Sequence, residues 1–468
     1  MTAAPTPAAL TPADRDLLLR LLELPTAGPL ETGPDGPPPL LREAQLLYAR
    51  AAAGAGFDLV RHAPAEPADM DRPDVPAPVR EALARPGFLD CQPSLVLRLG
   101  PELPAERTVM FNVHLDTVAG QQPVGFDGER FHGRGAIDAK GPAVALLAGV
   151  RAARERDPAV GRDVAVLVQA VAGEEGGAMG TLGTRPLVER GHTGRLNVFC
   201  EPTRMRFLTR STAAMTARIS VRGDDAIDDR PHTGHNASVL LGYLAQHLGR
   251  ALDAHARAGA VCLAGLHTGT LHNRVYGSGS LLLNLAYGDA AAGRALERAL
   301  TDALDGGLDA FAKDFADTAL FARTAADARA LTRLEWTKRG LPALDDRDPW
   351  GHALMRRAGI APWPADEPAF TCDAIWMSGV AGARTVVLGP GDLAANNAHA
   401  DGEFARADEL DGFADAVARV VTAFTDQTPR RARARTPPHE TEEPHTTEEE
   451  GDEDMRAHHT PPHPREAR

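Results

Sequence analysis

The chain has 468 residues, 43% of them hydrophobic and 24% charged, with 45 Gly, 37 Pro and a net charge of −14. That length exceeds one simple core and that apolar content excludes wholesale disorder, so two domains, or one with a large insertion, are expected. The acid surplus argues against nucleic acid as a main partner, and no stretch approaches a membrane-spanning run of ~18 apolar residues.

Cys91, Cys200, Cys262 and Cys372 lie far apart with no CxxC pair. That argues against a disulfide framework or a thiolate zinc site and fits a reducing compartment. The first ten residues show no basic stretch followed by an apolar core, so a cytoplasmic protein is expected.

In chain order, residues 14–24 and 40–53 read as helices joined by a Gly/Pro-rich loop, and the proline-dense stretch 64–86 reads as a surface loop. Short Val- and Leu-rich runs follow at 94–99, 108–113, 164–170, 196–200 and 385–388, with a helix predicted over 141–155. Such alternation points to an α/β class: a mixed, largely parallel sheet with helices on both faces. Residues 214–330 have another texture: a strand at 215–221, a helix at 236–258, strands at 261–268 and 280–287, and a helix from about 290. This β-α-β-β-α order suggests an inserted α+β unit. The expected organisation is therefore 1–213 and 331–427 as two parts of one larger domain, 214–330 as the insert, and 428–468 as a tail. Residues 409–425 form an amphipathic helix, with Leu410, Phe413, Val417, Val420, Val421 and Phe424 on one face. From 428 onward there is no Ile, Leu, Val, Phe, Trp or Tyr, and acids crowd 440–454, so a disordered acidic tail is expected.

Five motifs stand at element boundaries. His114-Leu-Asp116 follows the run at 108–113, and alternation puts both side chains on one side of the extended chain. An imidazole with a carboxylate beside it suits a metal ligand with an acid to orient it, or simply a hydrogen-bonded histidine. Gly133-Arg-Gly-Ala-Ile-Asp138-Ala-Lys140-Gly141 precedes a helix, where Asp138 could equally be an N-cap. Gly173-Glu174-Glu175-Gly176 places two adjacent carboxylates beside a buried strand, which is costly unless a cation or solvent compensates them. Cys200-Glu201-Pro202-Thr203 and Asn397-Ala-His399-Ala-Asp401-Gly-Glu403 complete the set. Two histidines, Asp138, Glu175 and Glu201 are donors suited to a pair of zinc ions, and Glu174 is left beside a ligand, where a general base belongs.

In this order the motifs resemble the M20 metallopeptidase family, which includes acetylornithine deacetylase, succinyl-diaminopimelate desuccinylase, aminoacylase and carboxypeptidase G; the similarity covers about residues 12–427. The resemblance implies that His114, Asp138 and Glu201 hold one metal and that Asp138, Glu175 and His399 hold the other. It makes Asp138 the bridge, Asp116 the residue that orients His114, and Glu174 the general base. It implies two divalent metal ions, zinc first, with cobalt or manganese compatible with the same donors. The implied reaction is hydrolysis of a small amide or peptide, with the insert serving as lid and homodimer interface. The other class of reading is a metalloprotein of this fold without hydrolase activity, acting as a biosynthetic enzyme or binding protein.

The insert departs from the family pattern. In the run Gly223 to Ala237, Ile227 stands where the family carries a histidine that helps bind the oxyanion, and Ala286 stands where an arginine often clamps a substrate carboxylate. Neither side chain can do that work. Arg230, His232, His235, Asn273 and Asp373 are the candidate substrate contacts in their place. Poor activity on simple N-acetyl or N-succinyl amino acids and a preference for a larger or uncharged substrate are expected.

Overall fold

The computed structural model describes residues 6–256 and 261–428, so the expected disorder of the tail lies outside the described residues except at Thr428. The principal elements are α1 (Pro12–Glu23), α2 (Leu41–Gly54), β1 (Phe57–Ala63), β2 (Ser94–Leu99), β3 (Thr108–His114), α3 (Lys140–Arg156), β4 (Ala165–Val171) and β5 (Leu196–Phe199). They continue with β6 (Ala213–Arg222), α4 (Ala237–Ala251), β7 (Val261–His267), β8 (Ser278–Tyr287), α5 (Ala290–Asp314), α6 (Ala322–Leu331), β9 (Thr332–Lys338), α7 (Pro349–Arg357), β10 (Arg384–Val387) and α8 (Ala407–Gln427).

The larger sheet runs β1-β2-β4-β3-β5-β10. The pairs β4–β3, β3–β5 and β5–β10 are parallel, while β1–β2 and β2–β4 are antiparallel at one edge. The mixed, largely parallel sheet read from the sequence is therefore present. Its strands are apolar on both sides because both sides are covered. Val109, Phe111 and Val113 pack into a core with α1, α2, α3 and α8, while Met110, Val171 and Phe199 face a smaller cluster containing Cys372, Ala374 and Met377. Helix α1 begins with a capping box: the Thr11 hydroxyl accepts from the Asp14 amide, and the Asp14 carboxylate accepts from the Thr11 amide.

The insert is a four-stranded antiparallel sheet, β7-β8-β6-β9. Helices α4 and α5 pack on it through stripes a helical turn apart, including Leu240, Leu244 and Leu248 on α4 and Leu296, Leu300, Leu304 and Leu308 on α5. Three expectations change. The boundary at 330 falls inside α6, and β9 beyond it pairs with β6, so the sheet has a strand the sequence reading left outside. The helix expected over 236–258 stops at Ala251, with a separate turn at Asp253–Ala256. The stretch 64–86 is not a surface loop. It forms short helices at Pro67–Met70 and Ala77–Ala82, and Met70, Val75, Val79 and Ala82 are buried together with Phe88 and Leu182. Pro67 starts the first helix and Pro78 is the second residue of the other, first-turn positions where a missing N–H costs nothing.

Candidate metal centre and active site

The motifs converge because parallel strands end on the same side of a sheet. His114 closes β3, Glu174 and Glu175 follow β4, and Glu201 follows β5. After β4 the chain must reverse at once, and Gly173 does so at φ 72°, a left-handed conformation that glycine adopts without steric cost. His399 comes from the turn before α8 and itself has φ 62°. A non-glycine residue in that region is uncommon and tends to mark functional sites.

Donor atoms of His114, Asp138 and Glu201 lie within 4.8 Å of one another, as do those of Asp138, Glu175 and His399, and those of His114, Glu174 and Glu175. His114 Nε2 is 2.9 Å from Asp138 Oδ1, and His399 Nε2 is 2.9 Å from Asp138 Oδ2. All five expected ligands and the expected base are thus brought together around Asp138. His114 and Asp138 are buried, Glu174 is half-buried, and His399, with its side chain 48% exposed, forms the open side.

The electrostatics ask for cations. Four carboxylates meet two imidazoles, so negative charge is in excess even with both rings protonated. His399 Nε2 also stands 2.9 Å from Glu175 Oε1, so one ring nitrogen is shared between two carboxylates, and Glu175 Oε1 is buried with no other partner among the described residues. Burial raises the Glu174 carboxyl well above the usual carboxylate range, with the charges of Glu201, Asp373 and Glu175 adding to it. Glu201 is likewise raised, by burial first. His399 is pushed up to about 10 by its contacts with Asp138 and Glu175. Burial opposes a charge on His114, but Asp138, Glu201 and Glu174 hold its ring well above the ordinary histidine range. Such a donor set, of carboxylates and imidazoles with one carboxylate offering each oxygen to a different histidine, fits divalent cations.

Asp116 acts differently from the expectation. His114 Nδ1 donates to the Asp116 main-chain carbonyl at 2.9 Å, while the nearest Asp116 carboxylate oxygen is 3.9 Å away. That leaves Nε2 pointing into the cluster. The carboxylate instead accepts the amides of Gly173 (3.0 Å) and Glu175 (3.2 Å), pinning the loop that carries the base.

Four of the five candidate substrate contacts do not gather here. Arg230 and His232 are exposed, as is Asn273 in the turn before Arg274, which pairs with Ile227 in a two-stranded ribbon. His235 is buried within the insert: its Nδ1 accepts the Asp224 amide at 2.8 Å and its Nε2 lies 3.2 Å from Asp327. Among the described residues, no hydrogen bond or ion pair joins these four to the cluster. Asp373 is fully buried. Its Oδ2 accepts from the Thr184 hydroxyl at 2.5 Å, and its carboxyl faces Gly180, where a Cβ would sit 2.4 Å from Oδ1. Burial pushes it up to about 7. Its charge adds to the rise at Glu174.

Two positioning residues escaped the sequence reading. Glu403 accepts the amides of Ile137 (3.1 Å) and Asp138 (3.3 Å) and pairs with Arg134 at 2.8 Å, with both side chains buried. This pair holds the loop that presents Asp138. Lys140, also buried, donates to the Leu24 carbonyl at 2.9 Å, and burial brings its ammonium down to about 7. Both stand in quoted motifs, but nothing local connects Arg134 with a residue 269 positions away.

Comparison with known proteins agrees with this geometry. The chain is 31% identical over 206 residues to a protein of Aeropyrum pernix described as a hydrolase of LysW-lysine and LysW-ornithine, an alignment covering 43% of this chain and 54% of that protein. It is 29% identical over 280 residues to succinyl-diaminopimelate desuccinylase of Gluconobacter oxydans, covering 55% and 66%. The chain thus spans about half to two thirds of the length of these curated relatives. The fold matches the crystal structure of the aminopeptidase PepT from Bacillus cereus with a TM-score of 0.60 at 15% identity, covering 88% of this chain and 98% of that one. Residues 110–423, which carry every motif of the cluster, match the model of peptidase family M20/M25/M40, and the chain belongs to that family.

Proposed function

We propose that the protein is a metal-dependent hydrolase of an amide bond in a small peptide or N-acyl amino acid derivative. The observation that carries this reading is the buried excess of carboxylate around Asp138, with Glu174 half-buried beside it. His114, Asp138 and Glu201 would hold one divalent ion, and Asp138, Glu175 and His399 a second, zinc being the first candidate. Bound there, the ions supply Lewis-acid polarisation of the amide carbonyl and acidify water. Glu174 takes a proton from the attacking water at its carboxylate oxygen and returns it to the leaving nitrogen. Asp116 and Glu403 keep the loops of Glu175 and Asp138 in register.

Ala286 supports a substrate without a carboxylate at that end. It lines a cavity of about 490 Å³ with Thr212, Tyr287, Leu296, Pro368 and Ala369, a largely apolar set. A homodimer through the lid belongs to the same reading. Its support is the edge strand β7, paired on one side only, with Leu266 43% exposed. Among the described residues no helix is long and apolar enough to cross a membrane, and the four cysteines are unpaired, which fits the reducing compartment expected.

The test is a hydrolysis screen of protein loaded with zinc, cobalt or manganese against N-acyl amino acids and dipeptides. Elemental analysis of wild type and His114→Ala accompanies it. Turnover that disappears together with bound metal in the variant supports the reading. Metal-independent turnover, or metal retained in full by His114→Ala, overturns it.

A further inference from the structure

A second cavity, of about 730 Å³, shares no lining residue with the carboxylate cluster. It opens where the chain emerges from Glu201, beginning at Arg206, and is closed by α7 and the segment 362–365. Its volume is that of a small-molecule pocket. Arg206, Arg210 and Arg356 face it, and none has a carboxylate partner among the described residues. Arg206 donates to the Pro362 carbonyl at 3.2 Å and Arg210 only distantly to the Glu367 carbonyl at 3.4 Å. The acid on the lining, Asp345, is already paired with Arg347 at 2.6 Å. Three guanidinium groups around one cavity are thus left without a neutralising carboxylate.

Three rings complete the wall. Phe207 is buried and meets His352 edge-on at 5.1 Å. Trp363, one face of which is stacked under the Arg204 guanidinium at 4.6 Å, contributes an indole N–H that is buried without a partner. Guanidinium groups free of carboxylates recognise planar acids and phosphates through paired hydrogen bonds, and aromatic walls favour a flat ligand body.

We propose that this cavity is a second binding site, for a small planar organic dianion. Its acidic groups, phosphate or carboxylate, meet Arg206, Arg210 and Arg356, and its flat body lies among Phe207, His352 and Trp363. Naphthalene-1,5-disulfonate is a suitable probe because sulfonates coordinate metals weakly and so avoid the other site. Titration of the metal-loaded protein should give saturable binding of one probe per chain that weakens as sodium chloride is added. The triple variant R206Q/R210Q/R356Q should bind at least about tenfold more weakly, the loss of one charge-assisted hydrogen bond or more. Arg356→Glu, on an exposed helix surface where folding is not at risk, should weaken binding in the same direction. Phenyl phosphate and phthalate distinguish the two acid types, and at least one should displace the probe. Absence of saturable binding, unchanged affinity in the triple variant, or displacement by neither compound overturns the proposal.

Discussion

The two sheets treat charge in opposite ways. At the end of the parallel strands the protein buries His114, Asp116, Asp138, Glu201, Asp373, Glu403, Arg134 and Lys140 within a few loops. In the antiparallel insert the buried polar side chains are Ser220, His235, Thr324 and Thr332. Burying an ionised group costs several kcal/mol unless partners compensate it. The insert avoids that cost with an aliphatic interior, whereas the end of the parallel sheet accepts it around a cluster that its own side chains leave undercompensated. Chemistry is therefore expected from the first region, and shape and access from the second.

The sharpest way to break this comparison is Glu174→Gln. It should retain bound metal and lose about 10²–10⁴-fold in turnover on any substrate the wild type cleaves. Normal turnover would remove Glu174 from the reaction and require another base. Next in size is Glu403→Ala, which strands the Arg134 charge in the interior and releases the Asp138 loop. Urea unfolding should show about 3–5 kcal/mol of destabilisation, and Glu403→Gln, which still accepts hydrogen bonds, should lose less. Equal stability of all three proteins would mean that the pair does not organise the site.

The lid offers a smaller test. Ile227 is 59% exposed on the ribbon beside Arg274, so Ile227→His is sterically free. It should raise turnover of N-acetylornithine by about tenfold, a fraction of what one oxyanion donor contributes in established sites. Wild-type turnover already at the level of a housekeeping deacetylase would show that the missing histidine is irrelevant.

The smallest effect concerns a carboxylate that is buried but partnered. Burial opposes ionisation of Asp14, but Arg151 at 2.6 Å and Thr11 hold its carboxyl below the usual range. With the folded value below the unfolded one, its stabilisation is complete above about pH 4 and is lost as pH falls through the folded value. Asp14→Asn should cost about 1–2 kcal/mol at pH 7. The gap to wild type should close as the unfolding measurement is repeated at successively lower pH. A gap independent of pH would assign the loss to packing.

The sequence by itself determined the strands that end in motifs, since Val- and Leu-rich runs buried on both faces have few alternatives to a parallel sheet. It also named the ligand types, because a histidine, an Asp-x-Lys-Gly turn and a Glu-Glu pair are chemically legible where they stand. Only the tertiary structure decided what each does. Asp116 turned from a carboxylate partner of His114 into a loop pin, because its main-chain carbonyl is nearer than its side chain. Arg134 and Glu403 became a pair across 269 positions, which no local pattern encodes. Strand β9 joined the lid because pairing with β6 depends on what lies opposite in space. Residues 64–86 folded inward because their scattered apolar side chains find a common cluster with Leu182, a contact that proline content alone conceals. Local chemistry is written in residue types and short spacings, while partnership between distant charges and strands exists only once the chain has closed on itself.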